Sequence, residues 1–477
     1  MPGPADPPSA EAHGCRLTRK ASVPFALLLV GSLAAVAVPP VPQVLGAAPA
    51  NAGDTAWMLT ATALVLLMTP GLSFFYGGMV RPKHILSTML QSYIAMGLVS
   101  LVWVAFGFSL AFGDSIGGFI GNPLTFFMLQ GVGADTHPAL SPTVPFALFA
   151  LFQLKFAIIT PALITGSLAE RVRFSSYMVF IVLFTVLIYC PLAHATWHPD
   201  GILRKSGVLD FAGGTVVHMS AGFAALAGVV VLGRRRGFER GQGLQPAHIP
   251  YVMLGTGMLW FGWFGFNAGS ALAANGTAVH AFLTTNTASA AAMLGWLLVD
   301  GMRGTKPSAL GACIGAVVGL VAITPAAGFV SVGSSACIGL LAAVASNVAA
   351  HWKGRMAFDD TLDVFPCHGV GGIVGMVATG VLASRAVNPA GADGLLYGGG
   401  GLFVTHLVAL LATGSFAFFG SFLIYKAIDA VTRLRVTPEQ EDEGLDLSQH
   451  GETVQRHGAP GHSISNSALD AATVRRT

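Results

Sequence analysis

The sequence predicts an all-α integral membrane protein of eleven transmembrane helices, arranged as two inverted five-helix repeats plus one long C-terminal span. Three observations carry that expectation. Of the 477 residues, 53% are hydrophobic and only 10% are charged, whereas soluble domains carry about 25% charged residues. Apolar runs of membrane-crossing length, roughly 20 residues each, recur along the chain after residue 50. Lys and Arg fall in alternate loops, the asymmetry that sets membrane orientation. The sixty glycines agree, because small residues let helices approach closely in lipid.

The spans are expected near 55–79, 88–112, 143–168, 175–196, 213–233, 250–270, 279–302, 308–325, 329–350, 367–384 and 400–428. Inner loops would hold Arg81, Lys83, Arg171, Arg173, Arg234, Arg235, Arg236, Arg240, Arg303, Lys306, Lys353 and Arg355. Outer loops would hold only Arg204, Lys205 and Arg385, three against twelve. That bias places the mature N-terminus outside and the C-terminus in the cytoplasm, of a bacterial inner membrane in this reading. An odd span count requires the same split. Five spans per half also invert the second half relative to the first. A weak internal echo accompanies this, Asp210…His218 against Asp363…His368.

The ends read differently from the middle. Residues 1–50 have the layout of a signal peptide, or of an uncleaved leader. Arg16, Arg19 and Lys20 precede an apolar run, Val23 to Val38, and Ala48-Pro49-Ala50 offers a cleavage site. Residues 51–432 form the membrane domain and 433–477 a cytoplasmic tail. Within the tail, Arg435–Glu452 reads as a docking element and 453–477 as a disordered polar end. Cys15, Cys190, Cys313, Cys337 and Cys367 form no CxxC and read as packing residues. A net charge of +3 favours no partner, and no basic patch points to nucleic acid. No cofactor is expected.

The residues that could carry chemistry lie inside the spans. His218, in GGTVVHMSAG, and His368, in FPCHGVGG, occupy equivalent positions on the fifth and tenth spans. An ionisable ring in hydrocarbon is costly and normally faces a bundle interior or a pathway. If the rings meet, one N–H can donate to the other's bare nitrogen. Interhelical polar glue explains the pair equally simply. A metal is disfavoured, since no third ligand has helical spacing to either ring. His280 and His406 read as hydrogen-bonded packing residues, and His194 and His198 as lining a vestibule mouth. Asp210 is expected to cap span five and to bias an outer vestibule toward cations, and Asp363 to cap span ten. Phe152 and Phe156 share a helix face. Trp263, Phe266 and Ser270 lie together on span six, and Trp197 ends span four. Such rings with a hydroxyl can hold a small cation, although aromatics also anchor helices at the interface. Lys155 points roughly 100° away from Phe156 and is expected to snorkel or to pair within a protein interface.

FYGGMVRPK, FQLKFAIITPALITGSLAERVRFSS, DFAGGTVVHMSAG, WFGFNAGS, DVFPCHGVGGIVG and the tail run RVTPEQEDEGLDLSQHGE occur in this order. Together they resemble the ammonium transporter (Amt/Mep/Rh) family, over about residues 54–452. The resemblance implies an outer ammonium site at Trp197, Phe156 and Ser270, with Asp210 beside it. It implies a stacked phenyl gate of Phe156 and Phe266 and a pore pair of His218 and His368. It also implies a homotrimer with one pore per subunit, and a tail that meets a PII-type signalling protein. The expected function is capture of ammonium, its deprotonation, and conduction of ammonia with or without the proton. An ammonium sensor signalling through the tail is the alternative. A Rh-type channel fits Trp197 and Ser270 less well, and a membrane enzyme lacks a third ligand, a nucleophile motif or a phosphate loop.

Overall fold

A computed structural model describes residues 19–38, 50–238, 246–353 and 358–454. The chain divides into two units, residues 1–43 and 44–477. The first contains one described helix, Arg19–Val36. Most of the expected cleavage site, Arg240, Arg355 and the polar end beyond residue 454 lie outside the described residues.

The second unit is a helix bundle. Among the described residues, nine helical stretches are long and apolar enough to cross a membrane. With Ile249–Gly269 and the shorter Ala309–Ile323 they make the eleven expected spans. Spans one to three are Ala52–Met79, Pro82–Phe112 and Phe146–Leu168. Span four starts at Phe174, turns through a π-helical segment at Thr185–Tyr189, and continues as Cys190–Trp197. Span five is Gly214–Leu232, span six Ile249–Gly269, span seven Gly276–Met302 and span eight Ala309–Ile323. Spans nine to eleven are Val332–Lys353, Phe365–Leu382 and Gly400–Thr432.

The packing follows the repeat. Span one lies antiparallel along span six, and the start of span five meets the start of span ten. These are the equivalent pairs that a two-fold axis in the membrane plane brings together. Glycines permit the first contact. Gly265 lies on Ala61 and Leu64, Gly262 on Met68, and Gly255 on the Phe75 backbone. Side chains there would force the helices apart.

Two features depart from the expected helices and loops. The segment between spans two and three carries two short antiparallel hairpins, Ser115–Ile116 with Ile120–Gly121, and Thr136–His137 with Ser141–Pro145. His194 anchors the first of them and does not face the vestibule. Its Nδ1 lies 3.1 Å from the Ala111 carbonyl, its Nε2 2.8 Å from Ser115 Oγ, and its ring stacks on His198 at 4.4 Å. His198 also stays outside the vestibule lining. His280 and His406 are bonded packing residues, on the Val330 and Met376 carbonyls at 2.8 Å each. Of the described cysteines, Cys190, Cys313 and Cys367 are buried and Cys337 is exposed, all as free thiols.

The tail-side surface is closed by residues 433–454. Thr437 caps a short helix, Pro438–Glu443, through a reciprocal bond with Gln440. Asp446 accepts from the backbone N–H groups of Leu86 and Ser87 at 3.0 and 2.8 Å, at the start of span two. Arg236 pairs with Asp442 at 2.9 Å and Arg435 with Glu441 at 2.7 Å.

Candidate functional site

Spans five and ten begin in the same unusual way. Each opens with a π-helical turn, Gly214–Met219 and Phe365–Val370, and each turn contains the histidine. Such turns redirect side chains and recur at functional sites. Each turn is held by an aspartate. Gly213, Gly214 and Thr215 donate their N–H groups to the Asp210 carboxylate at 2.6–2.8 Å, and the Thr215 hydroxyl joins them at 2.5 Å. On span ten the holder is Asp360, which accepts from the N–H groups of Val364 at 3.1 Å and Phe365 at 2.8 Å, and from Ser167 Oγ at 2.6 Å. Asp363 is not the cap expected there. Its backbone is left-handed, φ 58°, which turns its carboxylate to Lys353 at 2.5 Å.

The histidines meet. Nδ1 of His218 and Nδ1 of His368 are 3.3 Å apart, with the ring planes 20° from parallel. Gly222 and Gly369 make this possible. A Cβ at Gly222 would come within 2.3 Å of the Gly369 nitrogen. Gly222→Ala is therefore expected to cost about 1–3 kcal/mol through overpacking and to spread the imidazoles. A thermal unfolding scan beside an uptake assay checks this. Wild-type stability and rate in the variant would show that the close approach is dispensable.

Above the pair, the rings stack in sequence. Trp263 lies on His218, centroids 5.3 Å apart, and is fixed by its indole N–H on Thr324 Oγ1 at 2.9 Å. Phe266 stacks on Phe156 at 4.2 Å and 29°. Trp197 stands edge-on to Phe156 at 5.9 Å and donates its N–H to the Asp210 carbonyl at 3.1 Å. The Ser270 hydroxyl donates to the Phe266 carbonyl at 2.8 Å, so its lone pairs are free for a donor.

Three spaces lie along this series. A vestibule of about 640 Å³ is lined by Phe156, Trp197, Asp210 and Ser270, together with Gln153 and Asn275. A cavity of about 10 Å³ lies beyond it, lined by Phe266, Trp263, Phe75, His218, His368 and other apolar side chains. A third, also of about 10 Å³, continues past His368, Tyr76 and Leu362 toward the tail side. About 10–15 Å³ is what one water-sized molecule requires. Phe156 borders the vestibule and Phe266 the first cavity, so the stacked phenyls are the partition between them. His218 Nε2 is buried without a hydrogen-bond partner among the described residues.

Trp197, Phe156, Ser270, Phe266, His218 and His368 thus border these three spaces, whereas His194 and His198 do not. Asp210 works as the cap and is fully engaged in that task. The sequence reading missed Gln153 in the vestibule and Asp360 behind the turn. Gln153 carried a signal, lying one residue beyond Phe152 on a span with few polar side chains. Among the described residues no group of three His, Cys, Asp or Glu could hold a metal.

A repeat-built helical membrane protein with a vestibule, an aromatic partition and a narrow apolar passage is a transport protein for a small solute. The chain belongs to the ammonium transporter family, whose defining pattern, described as Ammonium Transporter Family, matches residues 56–455. It is similar to the ammonium transporter of Bacillus subtilis (strain 168), 47% identical over 84% of this chain and 98% of that one. The crystal structure of Saccharomyces cerevisiae Mep2 superposes with a TM-score of 0.77 at 34% identity, over 82% of this chain and 88% of Mep2. A structure described as Sensor Amt Protein superposes at 0.76 with 28% identity, over 83% and 98% of the two chains.

Proposed function

We propose that this protein captures ammonium at Trp197, Phe156 and Ser270, that the ion gives its proton to water of the vestibule at the Phe156–Phe266 partition, and that ammonia passes along His218 and His368. The observation that carries this reading is the order of the spaces: a wide polar vestibule, stacked phenyls, then water-sized apolar cavities with one orphan imidazole nitrogen. The aromatic faces attract a small cation through their quadrupoles. That site cannot separate ammonium from potassium, which has the same charge and similar size. The passage can. A bare ion in low dielectric costs up to tens of kcal/mol in the ideal limit. Ammonium alone escapes this by leaving as a neutral base. The facing Nδ1 atoms share one proton, since two N–H groups would collide. One ring then offers a bare Nε2 to ammonia.

Uptake-linked current in proteoliposomes, with ammonium against methylammonium and potassium, tests the proposal. Potassium passing as readily as ammonium would overturn it. Ser270→Ala is expected to weaken apparent ammonium affinity roughly tenfold, the effect of one hydrogen bond to a charged group, with the maximal rate largely kept. An unchanged affinity would remove Ser270 from the site.

The proposed assembly is a homotrimer in a bacterial inner membrane, vestibule outward and tail in the cytoplasm, with residues 1–50 as leader. A PII-type signalling protein on the tail face is the proposed regulator. The tail contacts of Asp446 with the Leu86 and Ser87 N–H groups and of Glu441 with the Arg236 N–H favour regulation and give the sensor reading its support. Removing residues 433–477 separates the two. A sensor loses its downstream response while ammonium conduction persists.

A further inference from the structure

Lys155 has no partner among the described residues. It is 8% exposed, stands nine residues into span three, and makes no hydrogen bond or ion pair among the described residues. Span three is otherwise almost wholly enclosed. Its one surface strip is Ala147 and Leu151, and Lys155 continues that strip at the next helical turn.

A second unsatisfied group lies on a different face. Asn286 is exposed on span seven and has no partner among the described residues either. It ends a groove of about 690 Å³ between spans one and seven, lined by Trp57, Val279 and Leu283. The Trp57 indole N–H is buried without an acceptor. An unpaired ammonium and an unpaired amide are each costly against lipid. Each supplies what the other lacks, because lysine only donates and the amide carbonyl accepts.

The two groups lie at the same depth. The starts of spans one and three are joined by the Asn51 N–H on the Thr143 carbonyl at 2.8 Å, and those of spans one and seven by the Ala274 N–H on Asp54 at 2.8 Å. From these tied ends Lys155 is about 13 Å down span three and Asn286 about 15 Å down span seven, at 1.5 Å per residue.

We propose that Lys155 donates to the Asn286 amide of a second copy of this chain, seating the Ala147–Leu151–Lys155 strip in the groove of that copy. Strip and groove are different surfaces, so the contact is head-to-tail, which a ring satisfies and a two-fold dimer does not. It rests on the ring assembly proposed above and gives that ring a polar lock within the membrane. Lys155 thereby sits beside the phenyl partition without placing its charge in the passage.

The full chain with Cys15 and Cys337 replaced by serine, carrying both Lys155→Cys and Asn286→Cys, tests the contact in detergent-purified protein. Oxidation is expected to give a ladder of covalent oligomers with both cysteines present and none with either alone. Light scattering reads the assembly independently. A protein that is monomeric before any substitution sinks the ring itself. An intact oligomer without the ladder, with lipid filling the groove, overturns only this contact. Cross-linking of Lys155→Cys alone would show a two-fold arrangement and overturn it too. Lys155→Met and Asn286→Leu, which need no oxidation, should each lower the temperature at which the oligomer dissociates, and together no more than the worse of the two. Additive losses would mean the side chains do not touch.

Discussion

Replacing His218 and His368 together with leucine is expected to lower ammonium uptake roughly 10- to 100-fold while potassium stays excluded. The cavity beside the pair has room for one water-sized molecule and is otherwise lined by Phe266, Trp263, Phe75 and other apolar side chains. Ammonia moving there leaves its hydrogen bonds to water behind. Leaving a buried polar group unsatisfied costs about 1–3 kcal/mol, and about 1.4 kcal/mol is a factor of ten in rate. His218 Nε2 lacks another partner and can offset that cost. The bundle should survive, because leucine fits an apolar site and can replace the ring packing on Trp263, and the one side-chain hydrogen bond lost among the described residues is the Nδ1–Nδ1 contact at 3.3 Å. Potassium exclusion should also survive, because its barrier comes from the low dielectric and not from the rings. Parallel measurements of uptake and current decide the matter. Unaltered rate and selectivity would refute the role of the pair, and a new potassium current would move the selectivity from the apolar walls to the imidazoles.

The sequence made the spans and most of the residues that border the cavities legible, because both depend on residue type at helical spacing. Hydropathy and loop charge located eleven helices. His218, His368, Phe156, Phe266, Trp197 and Ser270 were conspicuous as polar or aromatic groups in hydrocarbon or at its edge. Asp360 was legible in principle. Asp210 and Asp360 each precede their histidine by eight residues, a spacing that Asp363 breaks. The nearer carboxylate was the wrong choice because a left-handed backbone at Asp363 leaves no mark in composition. The π-helical turns were invisible for a similar reason. They go with local aspartate bonds to the helix start and with the long-range Gly222–Gly369 approach, neither of which residue type at helical spacing records. The hairpins between spans two and three are too short for a period-two pattern. The arginines were read only for topology, yet Arg171 is fully buried and Arg235 nearly so. Orientation statistics count charges and say nothing of what they pair with.

Arg235→Met is expected to cost about 3–5 kcal/mol of stability, because it strands buried carboxylates. Arg235 forks onto Asp359, Nε to Oδ2 at 2.8 Å and Nη2 to Oδ1 at 2.7 Å, and its Nη1 reaches Glu170 at 3.0 Å. The Glu170 and Asp359 side chains are 0% and 1% exposed. Burial by itself pushes both carboxyls up, but Arg235, together with His84 and Arg81 at Glu170 and with Arg171 at Asp359, outweighs it and both lie below their ordinary values. In the wild type this stabilisation is complete above the unfolded carboxyl range, about pH 4, and is lost as pH falls through the depressed values. In the variant the sign reverses. Without the Arg235 guanidinium burial raises the Asp359 carboxyl relative to the wild type, against the remaining pull of Arg171, so protonation relieves the strain and the deficit is expected to narrow as pH drops from 7 toward 5. Glu170 shifts less, since Arg81 still holds it at 2.7 Å. The neighbouring Arg236 backbone N–H donates to Glu441 at 2.6 Å, so the loss should also loosen residues 433–454. Thermal unfolding at pH 7 and pH 5, with limited proteolysis of the tail, reads both effects. A deficit independent of pH would assign the lost stability to packing of the arginine stem rather than to its charge, and an undisturbed tail would separate the buried cluster from tail docking.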